Sequence, residues 1–169
     1  SNSTSSTDHL VTQLTAAHLD WVSYQEGITA GTCPIASNST AEFAAKHDPV
    51  LFFQDVVGNP PDGSNTYCAA HHKPYSALAA DLAAGTLPAL VYVTPDLCHD
   101  MHGDLGCPSS INPTAEIQDG DTWLSTELPP ILAYANAHDS VVYLVWDEGS
   151  VDETMPFLAF GPHVHAGSS

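Results

Sequence analysis

The sequence has almost no basic residues. Only two of its 169 residues are Lys or Arg, namely Lys46 and Lys73, against 20 Asp plus Glu, and the formal net charge is −18. A surface of this charge repels phosphate backbones and anionic lipids, which excludes nucleic acid and acidic membranes as electrostatic partners. It attracts cations, so an anionic substrate is accommodated best where a bound cation neutralises part of the acidic charge.

Long apolar runs and the common hydrolase and nucleotide signatures are also missing. No stretch is apolar enough over a sufficient length to span a bilayer, and no signal peptide is recognisable. There is no Gly-rich phosphate loop and no GxSxG motif. With 43% hydrophobic residues, the composition is nevertheless that of a globular protein. We expect residues 1–7 to be flexible and residues 8–169 to form a single domain.

Cysteine is scarce, with four residues and no CxxC pair, which argues against a zinc knuckle. An even count in a Ser/Thr-rich chain favours two disulfides and an oxidising compartment, so we expect a secreted, extracellular or periplasmic protein. Three pairings are possible. We favour Cys33–Cys68 and Cys98–Cys107 because each pair flanks one irregular stretch. The sequon Asn38-Ser39-Thr40 predicts glycosylation at Asn38.

Two adjacent carboxylates follow the most apolar stretch of the chain. Val141–Trp146 consists of β-branched, aromatic and leucine residues, which predicts a strand buried on both faces. Asp147 and Glu148 come directly after it. Ligand sites in open α/β sheets lie beyond the carboxyl ends of the strands, so these two residues are candidates for a metal site or for catalysis. The alternative is a strand that simply ends in a polar turn.

A second polar cluster follows another predicted strand. Helical periodicity over Tyr75–Ala84 ends at Gly85, and Leu87–Pro95 is a second apolar run. Repeated helix-then-strand order predicts an α/β fold with a mainly parallel sheet flanked by helices. Pro95–Asp104 then holds two histidines and three carboxylates, which suit a cation or a phosphate. The alternative is an acidic loop held by Cys98–Cys107.

Periodicity and turn signals predict the remaining elements. Ile111–Asp119 is expected to be irregular, and the adjacent pair His71-His72 is expected on the surface. Helices are predicted over His9–His18, Thr40–Lys46 and Trp123–His138, and the last should be kinked or restarted at Pro129-Pro130. Further strands are predicted over Leu19–Tyr24 and Phe157–Phe160. Glu26 follows the first strand, where a solvated turn residue is the simpler interpretation.

The order of these motifs resembles the phosphoesterase family that contains bacterial phospholipases C and secreted acid phosphatases, within the alkaline phosphatase superfamily. The resemblance covers nearly the whole chain. Its stretches are Trp21–Glu26, Ala45–Pro49, Asp81–Pro88 with Pro95, Asp100–His102, Gly120–Leu124, Val145–Gly149 and Phe160–Val164.

The resemblance implies an alkaline phosphatase-like fold and hydrolysis of a phosphate ester, either a small molecule or a lipid headgroup, with a divalent metal ion. The family's metal-binding acidic pair corresponds to Asp147 and Glu148. Its Asp-x-His histidine corresponds to His102, and its Lys-His-x-Pro histidine to His47. Both histidines are thereby expected to contact the phosphoryl group or protonate the leaving group. Asp100 and Glu26 are expected to support this site by contacting the side chains that bind the metal or the phosphoryl group.

The resemblance is to the C-terminal half of the family domain. The family's Glu-Asn metal motif and its Ser or Thr nucleophile have no counterpart in this sequence. One expectation is an enzyme that needs a partner segment carrying the nucleophile. The alternative is a non-catalytic secreted module that binds cations or self-assembles, since half a domain exposes an apolar sheet face.

Overall fold

The computed structural model describes residues 3–109, 112–147, 155–165 and 167. The chain forms two compact units, Ser1–Trp123 and Leu124–Ser169. Glu148, one of the two predicted metal ligands, lies outside the described residues.

The first unit is built around a three-stranded parallel sheet. Its helices are α1 (Leu10–Ala16), α2 (Gln54–Val57), α3 (Thr66–His71) and α4 (Leu78–Ala84), with 3₁₀ turns at Ala45–His47, Pro49–Phe52 and Tyr75–Ala77. Its strands are β1 (Trp21–Gln25), β2 (His72–Pro74) and β3 (Leu90–Thr94), in the order β2-β1-β3. The pairing of β1 with β3 runs from Trp21 opposite Leu90 to Gln25 opposite Thr94. The predicted α/β fold with a parallel sheet flanked by helices is confirmed.

The core of the first unit lies against β1, whose five residues are all buried because it is the central strand. Burying apolar side chains of this size is the main stabilising contribution to the fold. The buried apolar cluster includes Val11, Trp21, Phe43, Val50, Leu51, Val56 and Val57. The predicted disulfide Cys33–Cys68 is confirmed and lies within this cluster. Near the chain start, Thr4 forms a parallel bridge with Phe53.

The second unit contains a two-stranded antiparallel sheet. Strands β4 (Val142–Val145) and β5 (Phe157–Phe160) pair with Val142 opposite Phe160. The prediction that the first of these strands is buried on both faces was wrong, since Tyr143 is 59% exposed and Val145 is 53% exposed. An apolar run indicates a strand, but it does not reveal how many layers cover it.

Two helix predictions were also wrong. The predicted helix over Thr40–Lys46 is absent apart from the 3₁₀ turn that begins at Ala45: Glu42 has a positive φ of 50° and the chain folds back so that Asn38 bridges Phe43. In contrast, part of the stretch predicted to be irregular is helical, because helix α5 runs over Pro113–Ala137. Its start is capped by Asn112, whose Oδ1 accepts from Thr114 N at 3.2 Å, and Pro suits the first helical position.

Among the helices that the structure describes, none combines the length and the hydropathy needed to cross a lipid bilayer.

Candidate active site at the carboxyl edge of the parallel sheet

The candidate site begins where β1 and β3 end side by side. In a parallel sheet the carboxyl ends of neighbouring strands lie at the same edge. Glu26 follows β1 directly, and its N–H donates to the carbonyl of Thr94, the last residue of β3, at 3.1 Å. Asp96 follows Thr94 by two residues. The sheet therefore brings together side chains that are 70 residues apart in the sequence.

Glu26 organises this edge. Its Oε2 accepts from Asp96 N at 3.0 Å and from His99 Nδ1 at 2.9 Å, while its Oε1 accepts from the indole N–H of Trp123 at 3.1 Å. His99 Nδ1 also lies 3.2 Å from Asp96 Oδ1. Burial, and then the charge of Glu26, raise the pKa of Asp96 above its usual value. The expected solvated turn glutamate is instead the centre of a hydrogen-bonded cluster.

This cluster has the donor set of a metal site. One ligand atom each from Glu26, Asp96 and His99 lie within 4.8 Å of one another. Two carboxylates and an imidazole suit a first-row divalent cation. The grouping of Glu42 with Cys98 and Cys107 does not fit a metal, because both sulfurs are bonded to each other.

His47 and His102 lie next to this cluster. His47 Nδ1 is 3.1 Å from Asp100 Oδ2, and the backbone N–H of His102 donates to Asp100 Oδ1 at 2.8 Å. The rings of His47 and His102 are 5.7 Å apart. Burial raises the pKa of Asp100 above its usual value, against the opposing effect of the two histidines. Asp100 thus contacts the ring of His47 and the backbone of His102, and its supporting role stays a prediction.

Three imidazoles at this edge are held in the same way. The Nδ1 atoms of His47, His99 and His102 face, respectively, the Asp100 carboxylate, the Glu26 carboxylate and the Gly103 carbonyl, the last at 2.8 Å. Since each partner is an acceptor, Nδ1 carries the proton in all three rings. Within the described part of the chain, no Nε2 of the three has a hydrogen-bond partner. Each Nε2 can therefore bind a ligand or exchange a proton.

A disulfide closes the loop that carries these residues. Cys98–Cys107 is confirmed, and it brackets His99, Asp100 and His102. Within the loop, Gly103 N donates to Leu97 O at 2.9 Å, and Met101 has a positive φ of 72°. The loop is thus held in a tight turn that a short cross-link supports.

Residues 2–159 match the Phosphoesterase family over most of the chain. The chain belongs to the phosphoesterase family. It is 25% identical over 162 residues to a phosphatidylinositol-3-phosphatase of Mycobacterium tuberculosis (strain ATCC 25618 / H37Rv). The match covers 95% of this chain and 46% of the relative, so the chain spans about half the length of the curated relative it matches. No solved structure matches the chain.

The predicted site residues of this member of the phosphoesterase family fall in two places. The structure brings Glu26, His47, Asp100 and His102 to one edge of the sheet in the first unit. Asp147 follows β4 in the second unit and is exposed. Asp147 therefore has the strand-end position that the sequence predicts, and its role as a metal ligand stays a prediction, as does that of Glu148.

Sequence reasoning did not single out Asp96, His99 and Trp123. Asp96 and His99 belong to the polar stretch after the second apolar run, so their composition was a usable signal, but no spacing rule pairs them with Glu26. Trp123 lies 97 residues from Glu26 in the sequence, and although it belongs to the resembling stretch Gly120–Leu124, nothing in the sequence paired it with Glu26. Its ring packs against Tyr75, with centroids 5.3 Å apart, while its indole N–H donates to Glu26.

Proposed function

We propose that this phosphoesterase domain hydrolyses phosphate esters at the carboxyl edge of its parallel sheet. The observation that carries the proposal is the set of three histidines whose Nδ1 atoms are held by acceptors and whose Nε2 atoms are available. Family membership and the similarity to a phosphatase support phosphate ester hydrolysis as the general class. The remaining details of the reaction are inferred from the chemistry of the side chains.

His47 and His102 serve as the groups that contact the phosphoryl oxygens or protonate the leaving group. Both actions need an imidazolium N–H at Nε2, and the neighbouring Asp100 carboxylate stabilises positive charge on His47. His99 also has an available Nε2, and its Nδ1 bonds the Glu26 carboxylate. General acid catalysis by a positioned histidine contributes about 10²–10⁴-fold to a rate.

The proposal includes a divalent metal ion. Asp147 and Glu148 remain its predicted ligands, and Glu26, Asp96 and His99 form the described grouping whose donor atoms match a cation. When bound, such an ion neutralises carboxylate and phosphate charge and polarises a phosphoryl oxygen. The net charge of −18 makes this neutralisation necessary for an anionic substrate to approach.

We further propose a small-molecule phosphate ester or a lipid headgroup as substrate and a secreted or periplasmic location. The M. tuberculosis relative is a phosphatidylinositol-3-phosphatase, which supports a phosphorylated headgroup. The two disulfides are compatible with an oxidising compartment. Asn38 is exposed, as glycosylation at this position would require.

The test is hydrolysis of an aryl phosphate ester from acid to neutral pH, with added divalent metal or with chelator. His102→Gln removes one available Nε2 and should lower kcat by about 10²-fold. His138→Gln is the matched control, since His138 is exposed and its Nδ1 bonds the Tyr134 carbonyl at 2.9 Å. Equal kcat in the two folded variants would reject the proposed role of His102.

A second candidate function is a non-catalytic module that self-assembles. It is favoured by the exposed apolar side chains of β4 and β5, namely Tyr143, Val145 and Phe157. Sedimentation of the wild type and of Tyr143→Ser across a range of protein concentrations distinguishes it. Concentration-dependent association that the substitution removes, together with no hydrolysis under any condition, would favour the module over the enzyme.

A further inference from the structure

A buried polar network links the three strands of the parallel sheet to Asp48, the residue after His47. Ser23 and Asp48 are 0% exposed, and Gln25 and His72 are 1% exposed. The prediction that His72 lies on the surface was wrong, because His72 begins β2 beside the central strand. Burying groups of this polarity is unfavourable unless they bond one another, so the contacts they make need an explanation.

Asp48 is the centre of the network. Its Oδ2 accepts from Ser23 Oγ at 3.0 Å and lies 3.0 Å from His72 Nε2. Its Oδ1 accepts from the backbone N–H of Val50 at 3.3 Å. The other nitrogen of His72, Nδ1, bonds the carbonyl of Cys68 at 2.7 Å, which fixes the orientation of the ring.

The network reaches all three strands of the sheet. Ser23 lies on β1 and His72 on β2. Gln25 Nε2 donates to Ser23 Oγ at 2.8 Å and to Thr94 Oγ1, on β3, at 2.9 Å. Asp48 is therefore tied to the sheet as a whole rather than to one neighbouring strand.

The trio of Ser23, His72 and Asp48 is not a nucleophile site. Ser23 Oγ donates its proton to Asp48 and not to the imidazole, and a substrate cannot reach a side chain that is 0% exposed. Buried polar contacts contribute little net stability relative to apolar packing, because desolvation offsets their attraction. What the network does provide is one fixed geometry for the backbone around Asp48.

That backbone carries His47. The 3₁₀ turn Ala45–His47 ends at Asp48, and the next turn, Pro49–Phe52, begins there with the Asp48 side chain as its cap. His47 is thus adjacent in sequence to the residue that is anchored to the sheet. Its own side chain reaches Asp100, in the loop after β3.

We propose that Asp48 is a positioning residue, which joins the sheet to the turn of His47 and thereby sets the direction of the His47 imidazole toward the substrate. It touches no substrate itself. The proposal rests on the proposed hydrolase function only for its kinetic consequence. The orientation of the His47 ring can be measured without any substrate.

The kinetic test compares Asp48→Ala with Asp48→Asn. The alanine removes every contact, so kcat on an aryl phosphate should fall by tenfold or more while KM changes less than twofold. The asparagine keeps an oxygen for Val50 and can offer an amide N–H to His72 Nε2, so it should recover at least half of that loss on a logarithmic scale. Asp55→Ala is the matched control, because Asp55 pairs with the buried His9 at 2.9 Å in the same unit. Its kcat should stay within twofold of wild type.

The structural test is ¹⁵N NMR of the histidine side chains, with His47→Gln used to assign the signals. In the wild type, His47 should show a protonated Nδ1 and an unprotonated Nε2 when neutral. In folded Asp48→Ala these shifts should move toward the averaged values of a free imidazole. If Asp48→Ala does not fold, Ser23→Ala removes one donor to Asp48 and should give a smaller shift of the same sign.

The outcomes separate the two proposals. If the ¹⁵N chemical shifts of His47 in folded Asp48→Ala equal those of the wild type, the positioning role is overturned. If Asp48→Ala does not fold, unchanged His47 shifts in Ser23→Ala overturn it. A kcat equal to that of Asp55→Ala would overturn it too. An inactive wild-type protein would instead reject the proposed function, and the NMR result would still decide whether Asp48 orients His47.

Discussion

Glu26 holds His99 by its Nδ1 nitrogen, with 2.9 Å between the carboxylate oxygen and the ring, although the two residues are 73 positions apart in the sequence. Glu26 is the first residue after β1, and His99 lies in the loop after β3. A carboxylate behind an imidazole fixes the tautomer and stabilises positive charge on the ring. This contact makes His99 the third histidine of the candidate site.

Glu26→Gln should lower kcat/KM on an aryl phosphate by about tenfold, because a neutral amide cannot compensate the charge of a protonated His99. Asp20→Asn is the matched control. Asp20 pairs with His71 at 3.1 Å just before β1, at the opposite end of the same strand. Its kcat/KM should stay close to that of the wild type, and a similar loss in both variants would contradict a specific role for Glu26.

Asp147→Asn should lower both metal content and activity. If Asp147 is a ligand, the amide binds a divalent cation more weakly than the carboxylate, and we expect a loss of kcat/KM of about 100-fold that excess metal partly restores. Asp139→Asn is the control, since Asp139 is an exposed aspartate of the same unit that pairs with His163. Metal analysis after desalting provides the readout that does not depend on turnover. Unchanged metal content in Asp147→Asn would remove it from the ligand set.

Removal of one disulfide should mainly lower stability, whereas removal of the other should mainly lower activity. Replacing both cysteines of Cys33–Cys68 by Ser opens a loop of 35 residues and should cost about 4 kcal/mol, against about 2–3 kcal/mol for the loop of nine closed by Cys98–Cys107. The shorter loop, however, carries Asp100 and His102. Its removal should therefore reduce kcat more strongly, as urea unfolding and turnover of both double variants would measure. The reverse order of the kcat losses would argue against a site on this loop.

The raised pKa of Asp100 determines how the free energy of unfolding should change with pH. Burial raises the pKa of Asp100 above its usual value of 3.8, so the folded protein binds more protons than the unfolded chain just above that pH. The free energy of unfolding of the wild type, relative to Asp100→Asn, should therefore fall as pH rises above 3.8 and level off beyond the raised pKa. Urea unfolding at several pH values measures this difference.

Asp81 is the control, because its pKa is shifted in the direction opposite to that of Asp100. The hydrogen bond from Lys73, at 2.7 Å, and then that from Tyr24 lower the pKa of Asp81 below 3.8. Its contribution is present above 3.8 and is lost as pH falls through the lowered value. The wild type should thus lose stability relative to Asp81→Asn on acidification. Parallel pH curves for the two pairs of proteins would contradict both assignments.

Local features of the sequence were sufficient for several parts of the fold. The end of α4 at Gly85, in the left-handed conformation, follows from the ease with which glycine adopts positive φ. Strand β1 follows from alternating apolar and polar residues, β3 from a short apolar run, and both disulfides from the stretches that the cysteines flank. The strand-end rule also drew attention to Asp100 and His102, which lie in the loop after β3, and their roles stay predictions.

The incorrect predictions concern residues whose environment is set by distant parts of the chain. His72 looked like a surface residue because its neighbour is also histidine, but the pairing of β2 with β1 places it over Asp48. Val145 looked like a core residue, but β4 pairs with β5 alone among the described strands. Residues 40–46 have helix-forming composition, yet the bridge between Asn38 and Phe43 imposes a turn.

By itself, then, the sequence determined the acidic character, the covalent cross-links, the alternation of helices and strands and the resemblance to phosphoesterases. These depend on composition and on contacts between residues close in the chain. Only the tertiary structure decided that Glu26 bonds His99, that Trp123 donates to Glu26, and that Asp48, next to His47 in the sequence, is buried. Such contacts depend on which strand ends become neighbours, and strand order is set by the packing of the whole sheet rather than by any local pattern.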